Sequence, residues 1–499
     1  MTINSVFVFE ALLQHNYLPA QRRKQEEMPP VFDSKTFTPE AALPLLTMKP
    51  ASGAKGFDLV DYRATKFNSI SRSYSIPHPV GYSQLAACIK DNWAAIEPLQ
   101  SSHVSMIRPR EHRDGRLIIM DYENFETRSK RMRHLAFGQR YTARTDIANC
   151  FPSIYKHAVP WAAVGVAAAK AETKGGWYND LDRCARRTVR DETQGVPVGP
   201  ATSNVIAELI LGRVDKELES ELNFVRGAGL NGMSRFIDDY TFHCDSYDEA
   251  EKFIRRLEEE LGKYKLKLNS KKTSISNSVT PFSDGWAVEL ALRRPSGDPL
   301  NAPQATNYLE FASALALKFP EGSVLKYAAN ALLSCRLNAS AAKATLDYLL
   351  ILAMQSPVLL PTLSKLIHAT SFGGVMLFED RFLRIVNDCA VRHRSDGMAW
   401  GLYYLTKYDV AIPVALAELI LKTKDCIAIL MLYVTGQHNA LVVDWTSTLD
   451  KENPYELDRY WILLYQLFKD GMVSADLSSV PASFIALKAG GVNFVLPVT

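Results

Sequence analysis

Three aspartates in this sequence have a setting that suits metal-assisted chemistry. Asp238 and Asp239 are adjacent, and Asp146 lies far upstream of them. Neighbouring carboxylates raise each other's pKa unless a positive charge neutralises them. A divalent cation that prefers oxygen ligands, such as Mg²⁺, supplies that charge. Taken alone, an Asp-Asp pair is more typical of a solvated acidic turn, and a single Asp146 of an N-cap or turn residue.

β-forming residues surround all three aspartates. Those at 236–237 and 240–242 flank the acidic pair, which predicts two short strands with the pair at the tight turn between them. Residues 140–146 alternate like a strand, and Pro152 ends any central strand soon afterwards. The sequence therefore predicts one carboxylate at a strand end and two at a hairpin tip.

A glycine- and proline-rich loop, residues 194–204, lies between these segments. Its glycines let the backbone approach a ligand closely. We expect Ser203 or Asn204 to cap a following helix over 205–222. A loop that ends at a helix N-terminus suits phosphate binding, although a plain loop before a helix fits the segment equally well.

Two further segments carry basic residues. Residues 107–144 interleave arginines, among them Arg131 and Arg133, with aromatic residues, which fits a phosphate-facing surface. The acidic residues of the same segment fit a solvated, charge-balanced face equally well. After a predicted amphipathic helix over 246–264, residues 266–275 predict a strand with a basic turn. Lys272 in that turn is a candidate partner for a phosphate, or an ordinary solvated lysine.

Composition limits the class of protein. With 499 residues we expect two or three domains, and 47% hydrophobic and 22% charged residues are typical of a soluble globular protein. A net charge of +3 means that any polyanion site must be local. The cysteines lack Cys-x-x-Cys spacing, which suits a reducing cytosol. Neither a signal peptide nor a membrane span is indicated, so we expect a cytoplasmic protein without a membrane partner.

Beyond Pro281 the pattern changes to successive amphipathic helices rich in Ala and Leu. Pairs of such helices indicate an α-helical repeat domain over residues 286–499, and an irregular helical bundle is the alternative. We predict helices at the following positions: 301–318, 324–337, 341–354, 378–391, 399–407, 412–422, 424–434 and 454–468.

In this order, four segments resemble the polymerase palm of reverse transcriptases. Residues 146–154 resemble the first metal-binding motif, and residues 194–203 resemble the Gln-Gly-x-Pro-x-Gly-Pro-x-x-Ser motif beside the nucleotide. Residues 236–239 resemble the Tyr-x-Asp-Asp box with Phe for Tyr, and residues 268–273 the Asn-x-x-Lys-Thr motif. Each is weak alone, but four with suitable spacing are specific. The resemblance implies an α+β fold with fingers and a ferredoxin-like palm sheet in residues 1–285.

A narrower resemblance concerns residues 153–162. Their Ser-Ile-Tyr-x-His-x-x-Pro-Trp pattern is similar to the abortive-infection (Abi) reverse transcriptases of bacteria and prophages. That family implies a HEAT-like helical-repeat domain after the palm and a role in phage defence. It also implies untemplated DNA synthesis from deoxynucleoside triphosphates, with single-stranded DNA attached to a hydroxyl of the protein, and assembly as trimers or hexamers.

The reverse transcriptase resemblance also implies roles for individual residues. Asp146 and Asp238 would bridge two Mg²⁺ ions, or Mn²⁺ in their place, together with the main-chain carbonyl of Ile147 and with Asp239 close by. Lys272 would act as an acid toward pyrophosphate. The residues expected around the nucleotide are the sugar gate Phe151, then Gln194, Gly195 and Pro197, and the fingers residues Arg131 and Arg133.

Protein priming needs a hydroxyl that reaches the metals. Tyr17, interpreted as exposed and lying beside the basic run 22–24, is our candidate. Two alternatives to the Abi interpretation are a conventional RNA-templated reverse transcriptase and a catalytically inert helical scaffold. The helical C-terminal part argues against the first, and the intact three aspartates argue against the second.

Overall fold

The computed structural model describes residues 2–19, 27–66, 71–119, 125–221, 232–277, 284–371, 377–472 and 481–498. The N-terminal part contains four α-helices and one β-hairpin. The helices are α1 to α4, at Ser5–Glu10, Pro39–Ala42, Pro79–Asp91 and Trp93–Ile96. Strands β1 (Leu59–Thr65) and β2 (Ser71–Pro77) pair antiparallel, with Tyr62 opposite Tyr74.

A four-stranded antiparallel sheet forms the centre of the next part. It contains β3 (Tyr141–Asp146), β4 (Met233–Phe236), β5 (Asp239–Cys244) and β6 (Ser274–Asn277) in the spatial order β4-β5-β3-β6. With helices between β3 and β4 and between β5 and β6, this is the β-α-β-β-α-β arrangement of a ferredoxin-like fold. The predicted strand before Asp146 and the predicted hairpin are therefore confirmed.

The described residues of this part also form helices. They are α5 to α11, at Phe125–Ala136, Cys150–Ser153, Ala158–Val164, Val166–Ala171, Trp177–Arg187, Ala201–Glu221 and Tyr247–Lys263. Of these, α5 and α11 pack on the strands of the sheet. α11 begins as predicted, because the hydroxyl of Ser246 accepts a hydrogen bond from the main-chain N–H of Glu249 at 3.1 Å. The predicted cap of α10 is wrong: the helix begins at Ala201, so Ser203 and Asn204 lie buried within its first turn.

After β6 the named elements of the described residues are all helical. They are α12 to α24, at Gly285–Leu292, Ala302–Lys318, Val324–Leu333, Ala339–Ala353, Ser364–Thr370, Glu379–Val391, Ser395–Lys407, Val414–Lys422, Cys426–Val434, Asn439–Ser447, Pro454–Arg459, Trp461–Lys469 and Ala482–Ala489. Most bounds agree with the predicted helices to within a few residues. The predicted helix 454–468 is divided at Tyr460. Repetition of a helical unit remains a prediction, as does the division of the chain at 285.

The N-terminal hairpin is built into this helical part. The main-chain N–H of Arg63 donates to the Ser395 hydroxyl at 2.9 Å, and that of Thr65 donates to the Asp396 carboxylate at 2.7 Å. Inward-facing side chains of the hairpin, including Val60, Tyr62 and Ile76, are fully buried. Helices α18, α20 and α22 cover β1. Within the described residues, no helix is long and apolar enough to cross a membrane.

Candidate active site

The sheet brings the three aspartates to one place. Asp146 ends β3 directly opposite Asp239, which begins β5. The next pair continues the ladder, because the N–H of Ile147 donates to the main-chain carbonyl of Asp238 at 3.1 Å. The two motifs are distant in sequence but adjacent in space, as the resemblance implies. Asp238 lies in the turn, whereas Asp239 is already the first residue of a strand.

The charges of these carboxylates are only partly compensated. Loss of hydration, followed by the charges of Asp239 and Asp146, raises the pKa of Asp238 to about 6. The pKa of Asp239 is also raised, by loss of hydration and then by Asp146. The Lys272 ammonium bonds the Asp146 carboxylate, and this contact raises the pKa of Lys272.

The segment that carries Lys272 extends the sheet beyond β3. The N–H of Asn269 donates to the main-chain carbonyl of Asp146 at 2.7 Å, and the N–H of Ala148 donates to that of Lys267 at 2.9 Å. The hydroxyls of Thr145 and Thr273 are 2.7 Å apart. The Asn-x-x-Lys-Thr motif is therefore anchored by backbone and threonine contacts, which direct its lysine toward the carboxylates.

The donor set fits a hard divalent cation. Carboxylate oxygens, with the carbonyl of Ile147 on the same edge, are the ligands that Mg²⁺ prefers. The negative charges of Asp239 and Asp146 add to loss of hydration, which is the larger cause, in raising the pKa of Asp238. Among the described residues, no three His, Cys, Asp or Glu side chains already stand in a metal-binding arrangement.

The predicted nucleotide loop lies against the first motif. The N–H of Gly195 donates to the Ile154 carbonyl at 2.8 Å, and that of Val196 donates to the Phe151 carbonyl at 3.0 Å. Gly195 has φ +76°, and a Cβ there would lie 3.2 Å from the Pro152 carbonyl oxygen, so glycine is required on both counts. The exposed Gln194 side chain donates to the Ser153 carbonyl at 2.8 Å. Pro197 is buried beneath the loop.

Comparison with known proteins agrees with this geometry. The sequence profile of the reverse transcriptase family (RNA-dependent DNA polymerase) matches residues 82–309, which include all four motif segments. The chain contains a reverse transcriptase domain. No curated protein sequence matches the chain.

Solved telomerase structures show similarity to the chain. Apo telomerase from Candida tropicalis is 11% identical with a TM-score of 0.34, covering 80% of this chain and 69% of that one. Telomerase from Candida albicans in complex with a fragment of telomeric RNA is 11% identical with a TM-score of 0.30, covering 81% and 66%. A C-terminally truncated apo telomerase from Candida tropicalis is 12% identical with a TM-score of 0.33. The match covers 46% of this chain and 52%, about half, of that one.

The reverse transcriptase domain contains a buried lysine to which sequence analysis assigned no role. Lys156 is fully buried, and its ammonium donates to the main-chain carbonyls of Glu192 and Gln194 at 3.0 and 3.3 Å. Burial lowers its pKa to about 8. Beside it, His157 Nδ1 lies 2.8 Å from the Asp182 carboxylate in α9. The Ser-Ile-Tyr-x-His segment of the domain thus supports the nucleotide loop from below.

The fingers helix α5 presents a different arginine from those expected. The guanidinium of Arg128 lies over the ring of Phe236, 5.6 Å from its centroid, and its charge, like that of Lys272, offsets part of the rise in the pKa of Asp239. Arg133 instead donates to Ser129 of its own helix at 2.8 Å. Roles for Arg131 and Arg133 toward a triphosphate remain predictions. Only the fold shows that Arg128 faces the acidic turn.

Tyr17 is not exposed, so that interpretation is wrong. Its side chain is fully buried among aromatic rings, including Tyr82 at 4.5 Å and Phe494 at 5.6 Å between centroids. Its hydroxyl donates to the Pro77 carbonyl at 2.5 Å, and burial raises its pKa. A charged neighbourhood suggested exposure, but the basic run 22–24 lies outside the described residues.

Proposed function

We propose that this protein is a Mg²⁺-dependent DNA polymerase that extends a 3′-hydroxyl with deoxynucleoside triphosphates. The observation that carries the proposal is the convergence of Asp146, Asp238 and Asp239 at one sheet edge, inside a region that matches the reverse transcriptase profile. Carboxylates from distant parts of a sequence that lie together in the fold, with their charge only partly neutralised, are typical of a functional site. An inert palm has no physical reason to keep them.

The residues of the chain would divide the chemistry among them. Asp146, Asp238 and the Ile147 carbonyl would hold the metal ions, with Asp239 beside them. When bound there, Mg²⁺ would supply charge stabilisation for the attacking oxygen and the leaving pyrophosphate. Lys272, protonated beside Asp146, would donate a proton to the pyrophosphate. Phe151 would exclude the 2′-hydroxyl of a ribonucleotide, and the loop of Gln194, Gly195 and Pro197 would border the base and sugar.

At a finer level, we propose a bacterial phage-defence enzyme of the Abi type. Such an enzyme would make single-stranded DNA without a template, attached to its own hydroxyl, and would assemble as a trimer or hexamer. Two features support this: the Ser-Ile-Tyr-x-His-x-x-Pro-Trp pattern of residues 153–161, and the helices that follow the palm directly. Tyr17 is withdrawn as the primer, because its hydroxyl is buried and bonded to Pro77.

A conventional templated reverse transcriptase is the second candidate function. The matched family is described as RNA-dependent DNA polymerase, which favours copying of an RNA template. In that case the helices after residue 285 would serve a thumb-like role and bind the primer-template duplex. The two candidates share the chemistry of the three carboxylates and differ in the source of the primer and in the need for a template.

One experiment separates these candidates. Purified protein is incubated with labelled deoxynucleotides and Mg²⁺, either alone or with an RNA template and DNA primer, and the products are run on denaturing gels before and after protease treatment. Label that remains on the protein without nucleic acid, and is absent with Asp238→Ala, supports the Abi-type proposal. Label that appears only with primer and template supports the second candidate. No incorporation under any condition would overturn both and favour a scaffold.

A further inference from the structure

We propose that Arg235 is a positioning residue that holds the metal-binding turn in its working conformation. Arg235 precedes the Phe-Ile-Asp-Asp box on β4 and is fully buried. No role for it follows from the four motifs. The inference rests on the proposed function, because it assigns the turn to metal binding.

The turn contains a strained residue. Ile237 has φ +58°, in the left-handed region, which β-branched side chains rarely adopt. Such a conformation is energetically unfavourable and persists only where the surroundings enforce it. Since Phe236 pairs with Asp239, Ile237 and Asp238 are the two residues of the hairpin loop. The backbone at Ile237 therefore sets the direction of the Asp238 carboxylate.

Arg235 is the residue that enforces this backbone. Its Nη1 donates to the carbonyl oxygen of Ile237 at 3.0 Å, which fixes the peptide plane between Ile237 and Asp238. A turn that rearranged to give Ile237 a negative φ would move its carbonyl oxygen and lose this bond. The same rearrangement would change the direction of the neighbouring Asp238 side chain, which must face Asp146. The bond is charge-assisted and comes from a fully buried guanidinium, so it belongs to the stronger class of hydrogen bonds.

The guanidinium is itself held by two acids of α10. Nη1 and Nη2 donate to Glu208 at 2.7 and 3.1 Å, and Nε and Nη2 donate to Asp215 at 3.0 and 2.8 Å. Glu208 and Asp215 are seven residues apart and so lie on one face of the helix. The hydroxyls of Ser105 and Tyr240 donate to the same acids at 2.7 and 2.9 Å. The planar fork of an arginine satisfies all these partners at once, which a lysine does not.

The test compares metal binding by the folded protein, independently of catalysis. Mn²⁺ is titrated into wild type and Arg235→Lys, and free Mn²⁺ is measured by electron paramagnetic resonance. Asp238→Asn marks the site of interest. Arg394→Lys is the matched control, because Arg394 is also buried and also donates to main-chain carbonyls, those of Met354 and Gln355 in the helical part. We expect about 10-fold weaker Mn²⁺ binding for Arg235→Lys and no change for Arg394→Lys.

A second substitution isolates the turn from general destabilisation. Glycine adopts φ +58° without strain, so with Ile237→Gly the turn can keep this backbone conformation without the hydrogen bond from Arg235. We therefore expect Ile237→Gly to restore most of the Mn²⁺ affinity in the Arg235→Lys background and to change little in wild type. If Arg235→Lys does not fold, as judged by circular dichroism, Glu208→Gln replaces it in the same cycle, because it weakens only one of the two anchors.

Each outcome bears on the inference. Unchanged Mn²⁺ binding in folded Arg235→Lys overturns it, and so does weakened binding that Ile237→Gly fails to restore. Wild type that binds no Mn²⁺ at the Asp238-dependent site overturns both this inference and the proposed function. Wild type that binds Mn²⁺ normally but incorporates no nucleotide counts against the proposed function alone. Where nucleotide is incorporated, kcat should fall in Arg235→Lys while KM for the nucleotide stays unchanged.

Discussion

At the residue scale, the site is a concentration of negative charge that the fold tolerates at a cost in stability. Asp238 illustrates this cost. Its pKa of about 6 in the folded protein exceeds the ordinary value of 3.8, so the folded state holds a proton that the unfolded state has released between those pH values. Stability therefore falls as the pH rises through this window. A bound cation removes the penalty, which links metal affinity to stability.

Asp238→Asn should consequently stabilise the metal-free protein at neutral pH. We expect a gain of about 1–2 kcal/mol at pH 7, after allowance for partial exposure, and most of it should be lost near pH 4, where Asp238 is neutral in the folded protein and only partly ionised in the unfolded chain. Chemical denaturation in the presence of a chelator measures it. Asp444→Asn, at an exposed position of α21, is the control. A gain that persists at pH 4 would contradict the electrostatic cause.

The second prediction at this scale concerns selection of the sugar. Phe151→Ala or Phe151→Val removes the ring that would exclude a 2′-hydroxyl, so ribonucleotides should be admitted. We expect the ratio of kcat/KM for deoxynucleotides over ribonucleotides to fall at least about 10-fold. Phe137→Ala, at a position 88% exposed, should leave the ratio unchanged. Unaltered discrimination in both Phe151 variants would remove the proposed role.

At the element scale, irregular segments that support one another form the proposed nucleotide-binding side of the site. The loop at 194–196 pairs with residues 151–155, and the ammonium of Lys156 holds its carbonyls from beneath. A lysine whose pKa is lowered to about 8 by burial is costly to keep charged. The hydrogen bonds of the ammonium to the carbonyls of Glu192 and Gln194 offset this cost, because buried carbonyls require hydrogen-bond donors.

Lys156→Met keeps the length of the side chain and removes these bonds. We expect KM for deoxynucleotides to rise about 10-fold, since the loop loses its support, with a smaller change in kcat. Lys174→Met, on an exposed segment, is the control. Steady-state kinetics distinguish the outcomes, and an unchanged KM would show that the loop keeps its shape without the ammonium.

The same variant has a pH signature. Between pH 8 and 10.5 the unfolded chain binds more protons at Lys156 than the folded chain, so wild type gains stability relative to Lys156→Met as the pH rises through that window. The gain is at most about 3 kcal/mol. Denaturation curves of both proteins at pH 7.5 and 10 measure it, and parallel pH dependence would contradict the lowered pKa.

At the scale of the whole molecule, the N-terminal and C-terminal parts share one packed interior. The β1–β2 hairpin lies on α18 and α20, and the Asp58 carboxylate accepts from Arg190, near the nucleotide loop, and from Arg459 of α22. Arg190 lies only four residues before Gln194 in the sequence. The helical part therefore contacts the segment that leads into the proposed nucleotide site.

A fragment of residues 1–285 should not fold independently. Removing the helices uncovers Val60, Tyr62 and Ile76, which are fully buried in the complete chain, and exposed apolar surface of this kind promotes aggregation. We expect an insoluble or non-cooperatively melting fragment, and recovery when residues 286–499 are co-expressed. Size-exclusion chromatography and thermal melting provide the measurement. A soluble fragment with a sharp transition would show that the two parts are separate folding units.

The sequence by itself determined the ferredoxin-like sheet, the hairpin and most helices after residue 285. The hairpin and the helices follow from local periodicity and turn residues, which neighbouring positions specify, whereas the ferredoxin-like sheet was implied by the resemblance of the four motif segments to reverse transcriptases. Motif order, through the same resemblance, also singled out Asp146, Asp238, Asp239 and Lys272 as candidate site residues. Only the tertiary structure decided the rest. It decided the burial of Tyr17, the contacts of Lys156 with the loop, the position of Arg128 and the proposed positioning role of Arg235. All four depend on contacts between distant segments of the chain. A charged or aromatic residue carries no local sign of the partner that it will contact.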